Sequence, residues 1–295
     1  MKSGLVALNP HSGEAPSLNN LCLQIHYFQK HGLLKKLDVV SLVHANFFPY
    51  PVSVYQDLKN QILNDVKRSL EKGINNCFDY EKLEVIEALE SNNDDLVETL
   101  SQLAEQRKVN VLILGLDTSD NGYRWLFGGV SQTAALSAFG PTLIMKVNEA
   151  PAILPDEPSV LLAIDTTAPP SQQAVEKLQG VLAPMNSKIY LVHVKRKASF
   201  LSSLAKKAQS PKEIEDILLQ SEKIFKELGM SCSAEILEEG KSFSHTIADY
   251  VDAKGIWVTA VTSPSRDFKH RVLWGSTTQS LLSHLKCPVL VLRTN

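Results

Sequence analysis

Cysteine is scarce in this chain of 295 residues: Cys22, Cys77, Cys232 and Cys287 are scattered, and no C-x-x-C pair occurs. That spacing argues against a disulfide framework or a zinc ribbon and fits a reducing cytoplasm. Long apolar runs are also missing, with none near the roughly 18 residues of a membrane-spanning helix. Met1-Lys2 leads straight into a strand-like run, without the apolar core or cleavage site of a signal peptide. Charge of one sign is lacking too: 30 basic residues meet 32 acidic ones, for a net charge of -2. Such a balance gives no general attraction for nucleic acid or an anionic membrane. The expectation is a cytoplasmic protein with neither as partner.

Familiar catalytic and binding signatures are absent. There is no G-x4-G-K-[ST] and no G-x-G-x-x-G, so dinucleotide binding has no support. No H-E-x-x-H or G-x-S-x-G occurs. The eight histidines do not cluster at metal spacing. His284 and Cys287 are neighbours, but two ligands do not complete a zinc site. What is present in quantity is apolar residue, 44% against 21% charged. The chain is long enough for two ordinary domains.

Short aliphatic runs alternate with amphipathic stretches. Gly4 to Leu8 (GLVAL) reads as a buried parallel strand, ended by Asn9-Pro10. Leu18, Leu21, Ile25 and Phe28 mark one face of a helix that Gly32 stops. Val39 to His44 is a second strand. Residues 53 to 72 form a helix with Leu58, Ile62, Val66 and Leu70 spaced four apart. Leu83 to Ile86 is a third strand, and Asp94 and Asp95 open a helix at its positive end. Val109 to Leu114 is a fourth strand. A small-residue helix from about Gly129 to Phe139 and a strand from Thr142 to Val147 follow. Asn148 to Pro158 (NEAPAILPDEP) is a stiff, exposed linker. The pattern then restarts, with strands at Val160 to Ile164, Ile189 to Val194, Cys232 to Leu237, Ile256 to Val261 and from Val289. Helices are expected from about Ser171, over 211 to 228, over Phe243 to Val251 and from near Gly275. Alternation of this kind implies parallel sheets covered on both faces. The fold class is therefore α/β, two tandem doubly wound, Rossmann-like domains at 1–147 and 159–295, joined by the linker 148–158.

The halves repeat one another. GLVAL-Asn9 matches VLLAI-Asp165. Gly115 and Thr262 close the fourth strands, Gly128 and Gly275 open the last helices, and Pro141 and Pro288 introduce the last strands. Each of these three pairs is 147 residues apart, with no gap needed. The tripeptide LVH occurs in both second strands, at 42–44 and 191–193, so His44 and His193 read as equivalent strand ends. Trp125 and Trp274 precede the last-helix glycines and read as packing at the loop base. Phe47 to Pro51 reads as an apolar loop buried under a neighbouring helix.

The closing stretch carries a resemblance: strand, loop, Gly275-Ser276-Thr277, helix, then Cys287-Pro288-Val289-Leu290-Val291. It resembles the universal stress protein family, whose nucleotide-binding members read G-x2-G-x9-G-[ST], helix, CPVLVV. Asp165 stands where an Asp ends that family's first strand, and LVHV at 191–194 is similar to its second. The resemblance implies five-stranded parallel sheets of order 3-2-1-4-5. It also implies that the domains pair as a pseudo-dimer through the last strands, Leu143 to Val147 and Val289 to Leu292; a homodimer of the full chain is compatible with it. It further implies an adenine nucleotide such as ATP, with Mg, in the second half. The candidate contacts are Asp165, Thr166, Val194, Thr262, Ser265, Gly275, Ser276 and Thr277, with Asp165 on the ribose or on a metal-bridged phosphate. A helix opened by Gly-Ser-Thr turns backbone amides outward, which is what a phosphate needs.

The chain also departs from that pattern. Thr262 and Ser265 replace the first two glycines of the second-half motif. The loop that follows carries Arg266, Lys269, His270 and Arg271, which either face water or attract phosphate directly. Ser276 and Thr277 also suit helix capping. In the first half Gly115 and Gly128 survive, Thr118 replaces a glycine, Gly129 replaces the hydroxyl residue, and Asn9 replaces the acid. Asp117 and Asp120 add negative charge where phosphates would lie. The first half is thus expected not to bind ATP in that manner, and tight, stoichiometric ATP binding by a 1–150 fragment would contradict this. Three functions stay open: a regulatory or protective binding module, a slow Mg-dependent ATPase or phosphotransferase, and a nucleotide-free scaffold. No catalytic residues and no resident metal are assigned. Asp165 is the one convincing acid, which ranks an enzyme below a binder.

Overall fold

The computed structural model describes residues 3–8, 16–44, 56–88, 93–117, 124–125, 141–147, 159–164, 166, 169–170, 172–182, 187–195, 210–264 and 276–294. They fall into two compact units, one holding the described residues up to 147 and the other those from 159 onward. In the first unit β1 (Ser3–Leu8), α1 (Pro16–Lys30), β2 (Lys36–His44), α2 (Gln56–Ile74), β3 (Lys82–Ala88), α3 (Asn93–Gln106), β4 (Val111–Asp117), β5 (Arg124–Trp125) and β6 (Thr142–Lys146) follow one another. The second repeats the order with β7 (Ser159–Ala163), α4 (Gln172–Leu182), β8 (Lys188–Lys195), α5 (Pro211–Glu227), β9 (Cys232–Glu238), α6 (Phe243–Lys254), β10 (Val258–Pro264), α7 (Ser276–His284) and β11 (Val289–Thr294).

The first sheet runs β3-β2-β1-β4-β6 and the second β9-β8-β7-β10-β11, parallel along both paths. Both are the expected 3-2-1-4-5 order. The central strands are aliphatic on both faces because helices cover both. Leu5, Val6, Ala7 and Leu8 of β1 and Val160, Leu161 and Leu162 of β7 are all buried. The stripe Leu18, Leu21, Ile25 and Phe28 buries α1 as its spacing requires. On α2 the expected face is only partly right: Val66 and Leu70 are buried, but Leu58 is exposed. Four-residue spacing drifts about 40° per step round a helix of 3.6 residues per turn, so the far member leaves the apolar face. Helix α5 starts with Pro211 at its first position and a capping box, in which Ser210 and Glu213 each bond the other's backbone N–H.

Strand register shows how deep the repeat goes. β1 and β7 take equivalent partners, Gly4 with Val111 and Val160 with Val258, so the 147-residue offset holds between Val111 and Val258. It holds again for Thr142 and Val289, which pair with Leu112 and Thr259. Individual hydrogen bonds repeat with it. Asn110 N–H donates to the Ser3 carbonyl (2.8 Å) and Trp257 N–H to that of Ser159 (3.0 Å). Ser3 Oγ donates to the Lys108 carbonyl (3.3 Å) and Ser159 Oγ to that of Gly255 (3.1 Å). Lys108 and Gly255 are both left-handed, at φ 50° and 61°. In both halves the next residue's N–H reaches back to close the helix, Val109 to Ala104 and Ile256 to Val251. These closures also move the fourth strands. They start at Val111 and Val258, two residues later than the apolar runs suggest, because Val109 and Ile256 belong to the turns.

Register corrects one reading. Asp38 pairs with Leu5 and Tyr190 with Leu161, so Asp38 and Tyr190 are equivalent. His193 is then equivalent to Ser41, three positions short of His44. The shared LVH is a coincidence of composition in two buried strands, and His44 and His193 are not equivalent strand ends. Strand β5 was not expected at all. The small-residue helix, the Phe47 to Pro51 loop, the linker, Trp274, Asn9, Thr118, Asp120, Gly128, Gly129 and Arg266 to Arg271 lie outside the described residues.

Candidate functional site

In the second unit the chain leaves β7 through α4 for β8 on one side. It returns from β9 through α6 to β10 on the other. The carboxyl ends of β7 and β10 are therefore a topological switch point, the place where doubly wound sheets open a crevice. Val261 pairs with Ala163, which sets Thr262 one residue beyond the pairing and level with Ile164. Val192 pairs with Ala163 on the other side, so Val194 lies two residues beyond.

The residue before Asp165 is held from β8. Ile164 N–H donates to the Val192 carbonyl (2.8 Å), and His193 Nδ1 donates to the Ile164 carbonyl (3.1 Å). Both main-chain groups of Ile164 are thus committed, which fixes the direction in which the chain leaves the sheet. Thr166, next but one, is buried at 4% exposure, and Val194 is buried as well. Thr262 is half-buried at the end of β10.

Helix α7 begins at Ser276 and connects the end of β10 to the start of β11, so it runs against the strands and its N-terminus faces the carboxyl edge. The first amides of a helix have no partner within it and carry the positive end of the dipole, which suits an anion. Leu281 and Leu282 are buried and anchor α7, and Ser244 and Ser280 tie it to α6 through a hydroxyl pair at 2.6 Å. The structure therefore brings Thr166, Val194, Thr262 and the Ser276-Thr277 end of α7 to one edge of the sheet. Asp165, Ser265 and Gly275 lie outside the described residues. Sequence reading placed His193 in the LVHV strand but missed its positioning role, because its equivalent in the first half is Ser41 and the bond to Ile164 is not encoded in spacing.

The matching edge of the first half is different. Gly115 is buried in β4 opposite Met145. Beyond it Leu116 and Asp117 extend the strand, and β5 returns antiparallel on them, Leu116 with Trp125 and Asp117 with Arg124. Pro264 occupies the position equivalent to Asp117, and it has no N–H with which to bond a returning strand. A cavity of about 230 Å³ lies away from this edge, between α2 and the outer strand β3, lined by Leu63, Lys67, Leu83 and Val85 among others. Among the described residues no group of three or more His, Cys, Asp or Glu could hold a metal ion, and no helix is long and apolar enough to cross a membrane.

Comparison with known proteins agrees with this geometry. Residues 158–293 match the profile of the universal stress protein family. A universal stress protein from Archaeoglobus fulgidus DSM 4304 is similar in structure over 99% of this chain and 96% of its own, at 14% identity and a TM-score of 0.59. A functionally unknown protein from Pseudomonas aeruginosa PAO1 is similar over 99% of this chain and 92% of its own, at 14% identity and a TM-score of 0.53. No curated protein matches the chain. The second half belongs to the universal stress protein family, and the first half repeats its fold.

Proposed function

We propose that this protein is a regulatory or protective binding module that takes one adenine nucleotide per chain, in its second half. The observation that carries the reading is the switch point between β7 and β10, with the N-terminus of α7 entering on the same edge. In this reading the α7 amides with Ser276 and Thr277 hold phosphate, and Gly275 lets the chain approach closely. Thr262 and Ser265 border the phosphates from the β10 side. Asp165 takes the ribose or a Mg-bridged phosphate, while Thr166 and Val194 line the crevice. The bound nucleotide supplies the signal and the residues supply recognition, so no catalytic group is assigned.

Calorimetric titration of the full chain with ATP, ADP and AMP, with and without Mg, tests this. One site per chain is expected, weakened at least ~10-fold by Asp165→Ala, the loss of about one charge-assisted contact. Heat of binding that is absent for all three nucleotides would overturn the ligand part of the proposal.

A further inference from the structure

The eight histidines are scattered in sequence, but folding brings two of them together. His245 sits in the first turn of α6, and His284 is the last residue of α7. Their rings meet across the seam between the two helices, with centres 4.2 Å apart and planes inclined at 58°. Both residues are half-buried. Packing alone would account for two rings in contact. The hydrogen bonds around them do more, because they set which nitrogen of each ring carries the proton.

Each ring is tied back to its own helix through Nδ1. His284 Nδ1 lies 2.7 Å from the Ser280 carbonyl, which can only accept, so this nitrogen is the donor. Ser283 Oγ donates to the same carbonyl (2.8 Å). His245 Nδ1 lies 2.8 Å from the Oγ of Ser242, which is itself fixed as the N-cap of α6. Ser242, Ser244 and Ser280 form a chain of hydroxyls, at 3.2 Å and 2.6 Å. With Ser242 donating into that chain, its oxygen is left to accept from His245 Nδ1. Both rings then hold the same tautomer: Nδ1 donates and Nε2 keeps its lone pair. Among the described residues neither Nε2 has a partner, and neither is sealed from water. Metal-binding imidazoles are held in this way, by a bond from the far ring nitrogen to a fixed oxygen.

We propose that His245 and His284 are paired ligands for a divalent transition ion with right-angled coordination, of the Ni2+ or Cu2+ kind. Spacing chooses the ion. With metal–nitrogen bonds of about 2.0 Å, two imidazoles at a right angle have centres roughly 4.5 Å apart, and at the tetrahedral angle roughly 5.1 Å. The observed 4.2 Å falls a few tenths of an ångström short of the first and about 1 Å short of the second. A small rotation of the rings therefore admits a tetragonal or octahedral ion, whereas tetrahedral zinc has to spread the helices. Among the described residues no third His, Cys, Asp or Glu completes the set, so water fills the remaining positions. That makes the ion exchangeable rather than a condition of folding. Bound there, it joins the first turn of α6 to the last turn of α7, roughly 12 Å along α7 from Ser276. Nothing in this site depends on a nucleotide.

The test titrates the full chain, stripped of metal by a chelator, with Ni2+ alone, which unlike Cu2+ does not oxidise the four thiols. Ni2+ is paramagnetic and broadens the NMR signals of the imidazoles it binds. Two of the eight histidines, assigned in the wild-type spectrum to His245 and His284, are expected to broaden first. Calorimetry is expected to give one Ni2+ site per chain, weakened at least ~10-fold in His245→Ala and in His284→Ala. Ni2+ is expected to raise the unfolding midpoint of the second unit in the wild type and in neither variant. Broadening that begins at other histidines, a site that survives both substitutions, or no binding up to about 1 mM Ni2+ would overturn the proposal. The wild-type readings stand whether or not either variant folds.

Discussion

The two halves agree at the amino edge of their sheets and differ at the carboxyl edge, in what pairs with the end of the fourth strand. At the amino edge of each sheet the same hydrogen bonds recur: Ser3 and Ser159 each bond the carbonyl of the left-handed residue that ends the helix before the fourth strand, Lys108 and Gly255, 147 residues apart. At the carboxyl edge β4 and β10 end at the equivalent residues Asp117 and Pro264, but β5 pairs with the end of β4, whereas Pro264 has no N–H to offer such a strand. The bonds that set the sheet are thus retained, and the change falls at the carboxyl edge, where doubly wound folds place ligands. The halves can therefore be compared position by position, and three pairs of substitutions bear on that comparison.

The largest effect is expected at the equivalent pair Gly4 and Val160. A Cβ on Gly4 would meet Leu37 Cδ2 at 2.8 Å and Leu34 Cδ2 and Ile113 Cδ1 at 3.3 Å. Leu37 is itself buried at 1% exposure, so it has little room to yield. Gly4→Val is expected to cost about 2–3 kcal/mol by overpacking, confined to the first unit's unfolding transition. Val160 is fully buried at the same position, and Val160→Ala is expected to cost about 2 kcal/mol for lost burial instead. Urea unfolding followed by a probe in each half separates the two. A neutral Gly4→Val would show that the α1-side packing of β1 adapts, and that the halves differ there by drift alone.

A smaller contrast sits at Arg107 and Lys254, again 147 apart. Arg107 bonds both Asp38 (3.0 Å) and Glu84, with all three side chains largely shielded. Lys254 reaches Glu235, the register equivalent of Glu84, at 3.5 Å. It also lies 5.7 Å from the ring of Tyr190, which replaces Asp38. One cation thus holds the third strand by two ion pairs in the first half, and by one exposed ion pair and a ring face in the second. Arg107→Ala leaves two carboxylates facing each other and is expected to cost about 1–2 kcal/mol, between exposed and buried pairs. Lys254→Ala is expected to cost about 0.5 kcal/mol or less. Unfolding at low and high salt checks the pairing: the Arg107 effect should largely survive 1 M salt, where the Debye length is ~3 Å, and the Lys254 effect should not. Equal costs would mean that the ring face replaces the second ion pair in full.

These particulars explain what could be read in advance. Alternating aliphatic runs and the offset shared by Gly115 and Thr262 specify strand order, because buried parallel strands and their crossovers leave few topologies. The edge residues Thr166, Val194, Thr262 and Ser276 were legible for the same reason, as ends of strands and starts of helices. What local sequence could not supply was register. The LVH match is persuasive as text, yet pairing with β1 and β7 shifts it by three residues, since one buried Val or Leu substitutes for another. Nor did sequence disclose His193 bonding Ile164, His245 meeting His284, or β5 returning on β4. Each joins residues through a contact that no periodicity encodes.

The smallest effect tests whether even the helix endings are interchangeable. Lys108 and Gly255 end equivalent helices in the left-handed region, which costs an ordinary L-residue about 1 kcal/mol and costs glycine almost nothing. Lys108 is exposed and bonds its neighbours through its backbone, so Lys108→Gly removes strain without removing a contact. Part of the gain is offset because glycine is more flexible in the unfolded chain, leaving about 0.5 kcal/mol of stabilisation in the first unit. Gly255→Ala is the reverse experiment: a Cβ there meets nothing within 4 Å, so its expected cost of about 1 kcal/mol is conformational alone. Thermal unfolding of the two variants should move in opposite directions. If Lys108→Gly destabilises the first unit instead, the lysine side chain contributes to that helix end, and the halves have diverged at their shared edge as well as at the ligand edge.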